Sequence, residues 1–374
     1  NITIGRNGSN INGAAADLSI SKENSAITLV YVDGTQGWKA TDTSSLSDIE
    51  LQPTYITATG GTITCSGDFR IHTFTGPGTF CVSTLGNPVG GPSAVDYLVV
   101  AGGGAGATSN SFPGAYANGG GGAGGFRESY VCATSGPYTA SPLAVATSLP
   151  VTVQGYSVTV GAGGTTQPFG GPNTHAPTPA MDGSNSVFST IISTGGGGAG
   201  TGCNAVGDNS GRPGGSGGGG GGSVVPNGGG PGTGNTPPVS PPQGQNGGTG
   251  TCSSHTSGAG GGGAGAVGSD GSAAVGGNGG NGVATSKTGS SVTRAGGGGG
   301  GAGYPQSAGT SAGSGGSGGG GAGNYNSPSV GGVAGTINTG SGGGGGGSQY
   351  DNSNAKSGGA GGSGIVVIRY KFQN

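Results

Sequence analysis

The residues whose surroundings best suit recognition are the aromatics of the glycine-rich part of the chain. Phe112, Tyr116, Phe169, Tyr304, Tyr325 and Tyr350 stand in short segments between runs of glycine, among Ser, Asn, Gln and Pro. A tyrosine flanked by small polar residues offers rigid amphipathic contact area at low entropic cost while its neighbours adapt, which is the chemistry of antibody binding loops. These six are the candidate binding contacts, suited to a sugar or to a protein loop. The plainer alternative is that each ring caps a glycine segment or packs between copies of the chain.

No catalytic constellation stands beside them. Cys252-Ser253-Ser254-His255, with His175 and Cys203, lacks the paired ligand spacing of structural zinc sites and has few carboxylates near it in sequence. Gly-x-Gly-x-x-Gly strings recur, but none continues into Gly-Lys-Ser/Thr and none opens an amphipathic helix, so no nucleotide cradle follows. Gly207-Asp208-Asn209-Ser210-Gly211 has the look of a serine nucleophile loop, yet the three histidines offer no triad. The reading is therefore of a non-enzyme with no cofactor and no metal. Cys65 and Cys81 lie in a strand-rich stretch where they could pair across neighbouring strands or stay as free buried thiols.

The elements that must hold such loops are unusual. The chain has 374 residues with 102 Gly and 21 Pro, and only 6% are charged, with a net charge of −2. Disordered chains are kept open by charge repulsion and hydration, which this composition lacks. Collagen is excluded because runs such as Gly297 to Gly301 break its strict three-residue rule. With 29% hydrophobic and 5% aromatic residues, side-chain cores cannot organise the whole length. Near-neutral charge gives no field to attract phosphate, which argues against nucleic acid as a partner, and no run of about 18 apolar residues is present to span a membrane. The chain opens at Asn1 without Met or a charged-then-apolar leader, which reads as the tail end of a longer or processed polypeptide.

The fold class expected is mainly β and irregular, with no substantial α-helix, in two parts: an N-terminal β segment over 1–54 and a glycine-rich tip domain over 55–374. In the first part, Ile27 to Val32 is a β-branched and aromatic run ending at an Asp33-Gly34 turn; it has apolar residues on both faces, which self-association would cover. In the second, strands are expected at Tyr55 to Ala58, Thr62 to Cys65, Phe69 to Phe74, Thr79 to Ser83 and Val95 to Ala101, and a closing strand at 364–374. The two apolar strands that bracket 102–363 are expected to pair.

Between them, glycine clusters alternate with polar segments. Helix is disfavoured there by about 0.5–1 kcal/mol for each interior Gly, and a plain sheet lacks cross-strand side-chain pairs. Polyglycine can instead take the extended left-handed polyproline-II form, with three residues per turn and about 3.1 Å of rise per residue. Such helices can approach until their backbones bond one another directly, which meets the demand that buried backbone groups be paired. A stack, or sandwich, of polyglycine helices with loops at their ends is the expected scaffold.

The ordered blocks Phe74-Thr75-Gly76-Pro77-Gly78-Thr79-Phe80, Tyr97 to Gly104, Gly119 to Phe126, Val158 to Gly164, Gly183 to Phe188 and Gly361 to Tyr370 resemble the glycine-rich domain at the ends of bacteriophage tail fibres and other phage structural proteins. The stretch from Asn7 to Trp38 is similar to trimeric fibre segments of phages. The resemblance implies a homotrimeric virion appendage outside the cell, attached to other tail-fibre or baseplate proteins. It implies a tip that touches a bacterial surface glycan or outer-membrane protein. The long Pro-rich insertion from Val224 to Gln245 and the cysteines at 132, 203 and 252 depart from the pattern. Two competing readings are a purely structural filament or capsid-decoration protein, and an ice-binding polyglycine protein.

Overall fold

The computed structural model describes residues 2–21, 26–43, 49–51, 53–108, 117–166, 180–202, 209–223, 228–251, 256–273, 275–303, 310–325, 331–347 and 357–374. At the N-terminus, β1 (Ile2–Ile4), β2 (Leu18–Ile20) and β5 (Ile49–Leu51) form a small antiparallel sheet. A separate hairpin joins β3 (Ile27–Asp33) to β4 (Gly37–Thr43). Its turn is held by the Asp33 carboxylate, which accepts from the amides of Thr35 at 2.8 Å and Gln36 at 2.6 Å.

The β-base of the glycine-rich part follows. Its strands are β6 (Thr57–Thr59), β7 (Thr62–Ser66), β8 (Phe69–Phe74), β9 (Gly78–Thr84), β10 (Ala94–Val100), β11 (Phe126–Ser129), β12 (Ala144–Val145) and β13 (Leu149–Pro150). They continue with β14 (Gly155–Thr159), β15 (Ser186–Phe188), β16 (Ile191–Ser193), β17 (Val283–Thr285), β18 (Val292–Arg294) and β19 (Ile365–Lys371), and the one described helix is a single turn, α1 (Cys132–Ser135). The larger sheet runs β12-β11-β10-β19-β8-β7, with β13 on the end of β10; the smaller runs β16-β15-β14-β9-β6. The two apolar bracketing strands do pair, with Tyr97 opposite Ile368 and Val99 opposite Val366.

Those two strands are buried on both faces, and their alternation sorts side chains into two cores. Val95, Tyr97, Val99, Val366, Ile368 and Tyr370 point to the smaller sheet, where they meet Phe80, Val82, Val158 and Phe188. Leu98, Val100, Ile365 and Val367 point the other way, toward Phe126, Val283 and the alanines Ala123, Ala264 and Ala295 at the foot of the glycine-rich region. Cys65 and Cys81 correct the sequence expectation. They sit on strands of different sheets, β7 and β9, and both are exposed free thiols, neither paired nor buried.

Above this base the chain runs back and forth in extended segments whose backbone partners change with a period of three. In segment 101–108, the amides of Ala101, Gly104 and Ala107 donate to 117–125, those of Gly102 and Ala105 to 180–185, and those of Gly103 and Gly106 to 357–364. That period is the signature of a three-residue-per-turn helix, so the segments are polyproline-II helices.

Segment 117–125 lies at the centre. It donates to 340–347 from Asn118, Gly121 and Gly124, to 194–202 from Gly119, Gly122 and Gly125, and to 256–264 from Gly120 and Ala123. It accepts from 101–108, 215–223 and 295–303. Six neighbours therefore surround it, and they also bond one another in a closed ring: Gly196 to Gly102, Gly197 to Ser216, Gly262 to Gly217, Gly258 to Gly301, Gly342 to Gly296 and Gly343 to Gly104. Further segments (160–166, 180–185, 209–214, 228–234, 243–251, 265–271, 275–282, 310–317, 319–325, 331–336 and 357–364) bond to the outside of this ring. The scaffold is thus a bundle with concentric shells.

At most glycine positions inside it a side chain would strike a neighbouring backbone. A Cβ placed on Gly120 would lie 2.2 Å from the Gly298 carbonyl oxygen, and one on Gly121 would lie 2.1 Å from that of Gly104. Between some neighbouring helices, side-chain oxygens take the place of backbone acceptors. The Asp182 and Asn185 carbonyl-type oxygens accept from Gly198 and Gly195 at 2.8 and 2.9 Å. Asn278 and Asn281 accept from Ser314 and Ser317 in the same way. Both pairs are spaced by three, one turn of the helix.

Candidate functional site

Helix 101–108 leaves the β-base at Ala101, and the central helix 117–125 returns to it at Phe126. Thr108 and Ala117, the described ends of these two helices, therefore lie at the end of the bundle opposite the base. Gly202, Ser223, Thr251, Thr256, Gly303, Gly346 and Ser357 lie at that end as well. Backbone bonds tie these helix ends into one face: Gly222 donates to Ala117, Ser223 to Thr251, Thr251 to Ser257, Gly303 to Thr256, Gly346 to Ala107 and Gly332 to Ser357. A central helix with two shells around it thus gathers these helix ends on one face.

Asn118 organises that face. It is fully buried at the end of the central helix, its Nδ2 donates to Gly346 O at 2.7 Å, and its Oδ1 accepts from Gly202 N at 3.0 Å. One side chain thereby fixes the ends of three helices. Thr108 Oγ1 accepts from Gly358 N at 3.2 Å and ties a further pair.

Of the six aromatic candidates, Tyr325 lies half-buried where helix 319–325 ends at this face, next to buried Asn324. Phe112, Tyr116, Phe169, Tyr304 and Tyr350 lie outside the described residues, as do His175, Cys203, Cys252 and His255.

Sequence reasoning missed a second cluster, at the base. Five of the chain's few charged side chains are buried here: Asp96, Glu128, Lys287, Arg294 and Arg369. Asp96 accepts from the hydroxyls of Ser129 and Ser148 at 2.8 Å and Ser135 at 2.6 Å, and from Val131 N at 2.7 Å. Glu128 accepts from Thr285 Oγ1 at 2.7 Å and Ser141 N at 3.0 Å. Lys287 Nζ donates to Ser129 O at 2.8 Å and the Tyr138 hydroxyl at 2.6 Å, and Arg369 donates to Ser135 O and Lys287 O.

Burial, only partly offset by Glu128 and Asp96, holds the Lys287 ammonium down to about 8, and burial with the charge of Glu128 pushes the Tyr138 hydroxyl up. Perturbed groups of this kind suggest catalysis only where a substrate can reach them. The cavity against Glu128 and Tyr97 is about 10 Å³, at the lower limit for a single water molecule. The cluster is a fastening: Thr285 and Lys287 belong to the β17–β18 hairpin region, so it pins that hairpin, and with it the foot of the bundle, to β11 and β19. Among the described residues, no group of His, Cys, Asp and Glu could hold a metal ion.

The sequence model of one protein family, described as a glycine-rich domain, matches residues 73–371. The chain belongs to that family. Within the glycine-rich domain, the match begins on β8 and ends on β19, so it takes in the pairing of the bracketing strands and the whole bundle between them. A search of curated proteins finds no match to this glycine-rich domain protein. Among the described residues, no helix is long and apolar enough to cross a membrane.

Proposed function

We propose that the chain is the distal, host-contacting part of a bacteriophage tail fibre or related virion appendage, and that it recognises a bacterial surface glycan or outer-membrane protein without performing chemistry. The observation that carries this reading is the gathering of helix ends, Thr108, Ala117, Gly202, Ser223, Thr251, Gly303 and Tyr325 among them, at the one end of the bundle remote from the base. A scaffold held by backbone bonds leaves the sequence between such ends free to vary. The ordered block resemblance supplies the viral setting.

The chain acts as a homotrimer in this proposal. Val30 and Val32 of β3, on the face opposite Tyr31 and Trp38, are each about half exposed, and an isolated two-stranded hairpin is marginal in water, so copies of the chain are the natural cover for that face. The test is binding of the purified chain to a panel of bacterial strains. Binding to a host strain should be lost when 109–116 and 304–309 are replaced by Gly-Ser segments of equal length, with the thermal midpoint unchanged. Unaltered binding would refute the adhesive role. A chain that assembles but binds no strain would favour the purely structural filament.

A further inference from the structure

We propose that the N-terminal segment carries a second, independent binding site, for an acidic hexopyranose, in the cavity beneath Trp38. The cavity measures about 420 Å³ and is lined by Ile4, Arg6, Asn7, Ser9, Leu29 and Trp38, among others. That volume falls within the range of about 300–1,000 Å³ typical of small-ligand sites. Its make-up combines an apolar wall with a few polar groups at one side, which is how such sites gain both area and orientation.

The wall is built around the chain's single tryptophan. Trp38 stays 40% exposed although it is the largest apolar side chain present, and its ring is braced edge-on by Tyr31 at 5.5 Å. Its backbone is pinned as well: Trp38 N donates to Asn10 O at 2.8 Å, and Trp38 O accepts from Asn12 N at 2.7 Å. A fixed, half-exposed indole offers a face on which the apolar side of a pyranose ring can stack.

The polar side is a tight turn. Ser9 N donates to Arg6 O at 2.9 Å, and Asn7 and Gly8 both take positive φ, 45° and 84°, which holds Arg6, Asn7 and Ser9 along the rim. Arg6 is anchored through its backbone, since its amide donates to Asp17 Oδ1 at 2.8 Å. Among the described residues its guanidinium makes no ion pair, the one such pair being Arg212 with Asp182. Arg6, Asn7 and Ser9 all line this cavity, so a guanidinium, an amide and a hydroxyl are at hand for a sugar that carries a carboxylate and ring hydroxyls. The small sheet and its hairpin build this site without the glycine bundle, so the inference does not depend on the far-face reading.

Trp38 is its own reporter. The intact chain should be titrated with methyl β-D-glucuronide and, separately, with methyl β-D-glucoside, which differs in having a hydroxymethyl group where the first has a carboxylate. The expected result is saturable change of tryptophan emission with the glucuronide, at roughly tenfold or more higher affinity than the glucoside. Arg6→Gln should abolish that preference while leaving the thermal midpoint in place. Absence of saturation with either sugar, equal affinity for the two, or an unchanged preference in Arg6→Gln would overturn the proposal. So would emission that is blue-shifted and inaccessible to acrylamide in the free protein, because copies of the chain would then fill the cavity.

Discussion

One methyl group should separate two glycines that look alike in sequence. In Gly121→Ala, on the central helix, the new Cβ would sit 2.1 Å from Gly104 O and 2.6 Å from its carbon, where real contacts do not fall below 3.0 Å. The obstacle is backbone, so no rotamer change relieves it. Helices 101–108 and 117–125 must part by about 1 Å, which stretches the row of bonds from Ala101, Gly104 and Ala107, now at 3.0, 2.8 and 3.2 Å. Overpacking of a rigid interior costs about 1–3 kcal/mol, and loss of bonds along a row places this case at the upper end, about 3 kcal/mol or more. In Gly230→Ala, on an outer helix, the Cβ meets only Ser210 Oγ at 3.6 Å. There the methyl mainly restricts the unfolded chain and should stabilise by about 0.4–1 kcal/mol. Denaturant unfolding of both variants beside the parent reads these opposite signs directly. Equal effects, or a neutral Gly121→Ala, would refute the close-packed backbone lattice.

Other expectations follow from the same geometry. Asp182→Asn should cost less than about 1 kcal/mol, because it keeps an acceptor for Gly198 N and loses only an exposed ion pair, whereas Asp182→Ala should cost more, about 1–2 kcal/mol; unfolding midpoints compare the two. Lys287 loses its proton in the folded chain near 8 but only near 10.5 when unfolded, so the unfolded state binds more protons between those values. Its contribution to stability should therefore rise with pH across that window, until tyrosines with raised values such as Tyr370, pushed up to about 12, reverse the trend above about 10. Melting curves of the parent should show this rise between pH 8 and 10, and Lys287→Met should not. Burial, assisted by the charge of Arg70 and opposed by the bond to Gly60 O, holds His72 below 6.5, so the folded state resists protonation and stability should fall as pH drops below 6.5. His72→Gln should flatten that slope in melts from pH 7 to 5.

The strands of the base were legible because their apolar residues are dense and their turns are marked. Ile27–Asp33, Phe69–Phe74 and the pairing of the Val95 and Ile365 strands stand out from a sequence otherwise dominated by glycine and small polar residues. The polyproline-II form of the middle region was also legible, since neither helix nor sheet suits glycine runs. Its arrangement was not. One glycine run is chemically the same as another, so nothing in Gly297–Gly301 announces that its amides face 275–282, 117–125 and 319–325 in turn. A readable trace of the packing is the three-residue spacing of Asp182 with Asn185 and of Asn278 with Asn281, where side-chain oxygens replace backbone acceptors.

The buried charges at the base escaped notice for a similar reason. Asp96, Glu128, Lys287 and Arg369 are far apart in sequence, and only the crossing of β10, β11 and β19 beside the β17–β18 hairpin brings them together. The short strands β15 to β18 hold too few residues to show a period. The candidate site was legible only as a list of aromatics; that so many helix ends share one face depends on the direction of each helix, which composition does not encode.

Native-state amide exchange along 117–125, 295–303 and 340–347 tests the account most directly. If backbone bonds in three directions hold these helices, their glycine amides should exchange as slowly as those of β10 and β19, by global unfolding alone. Exchange at the rate of an unstructured glycine polymer, while β10 and β19 stay protected, would contradict it.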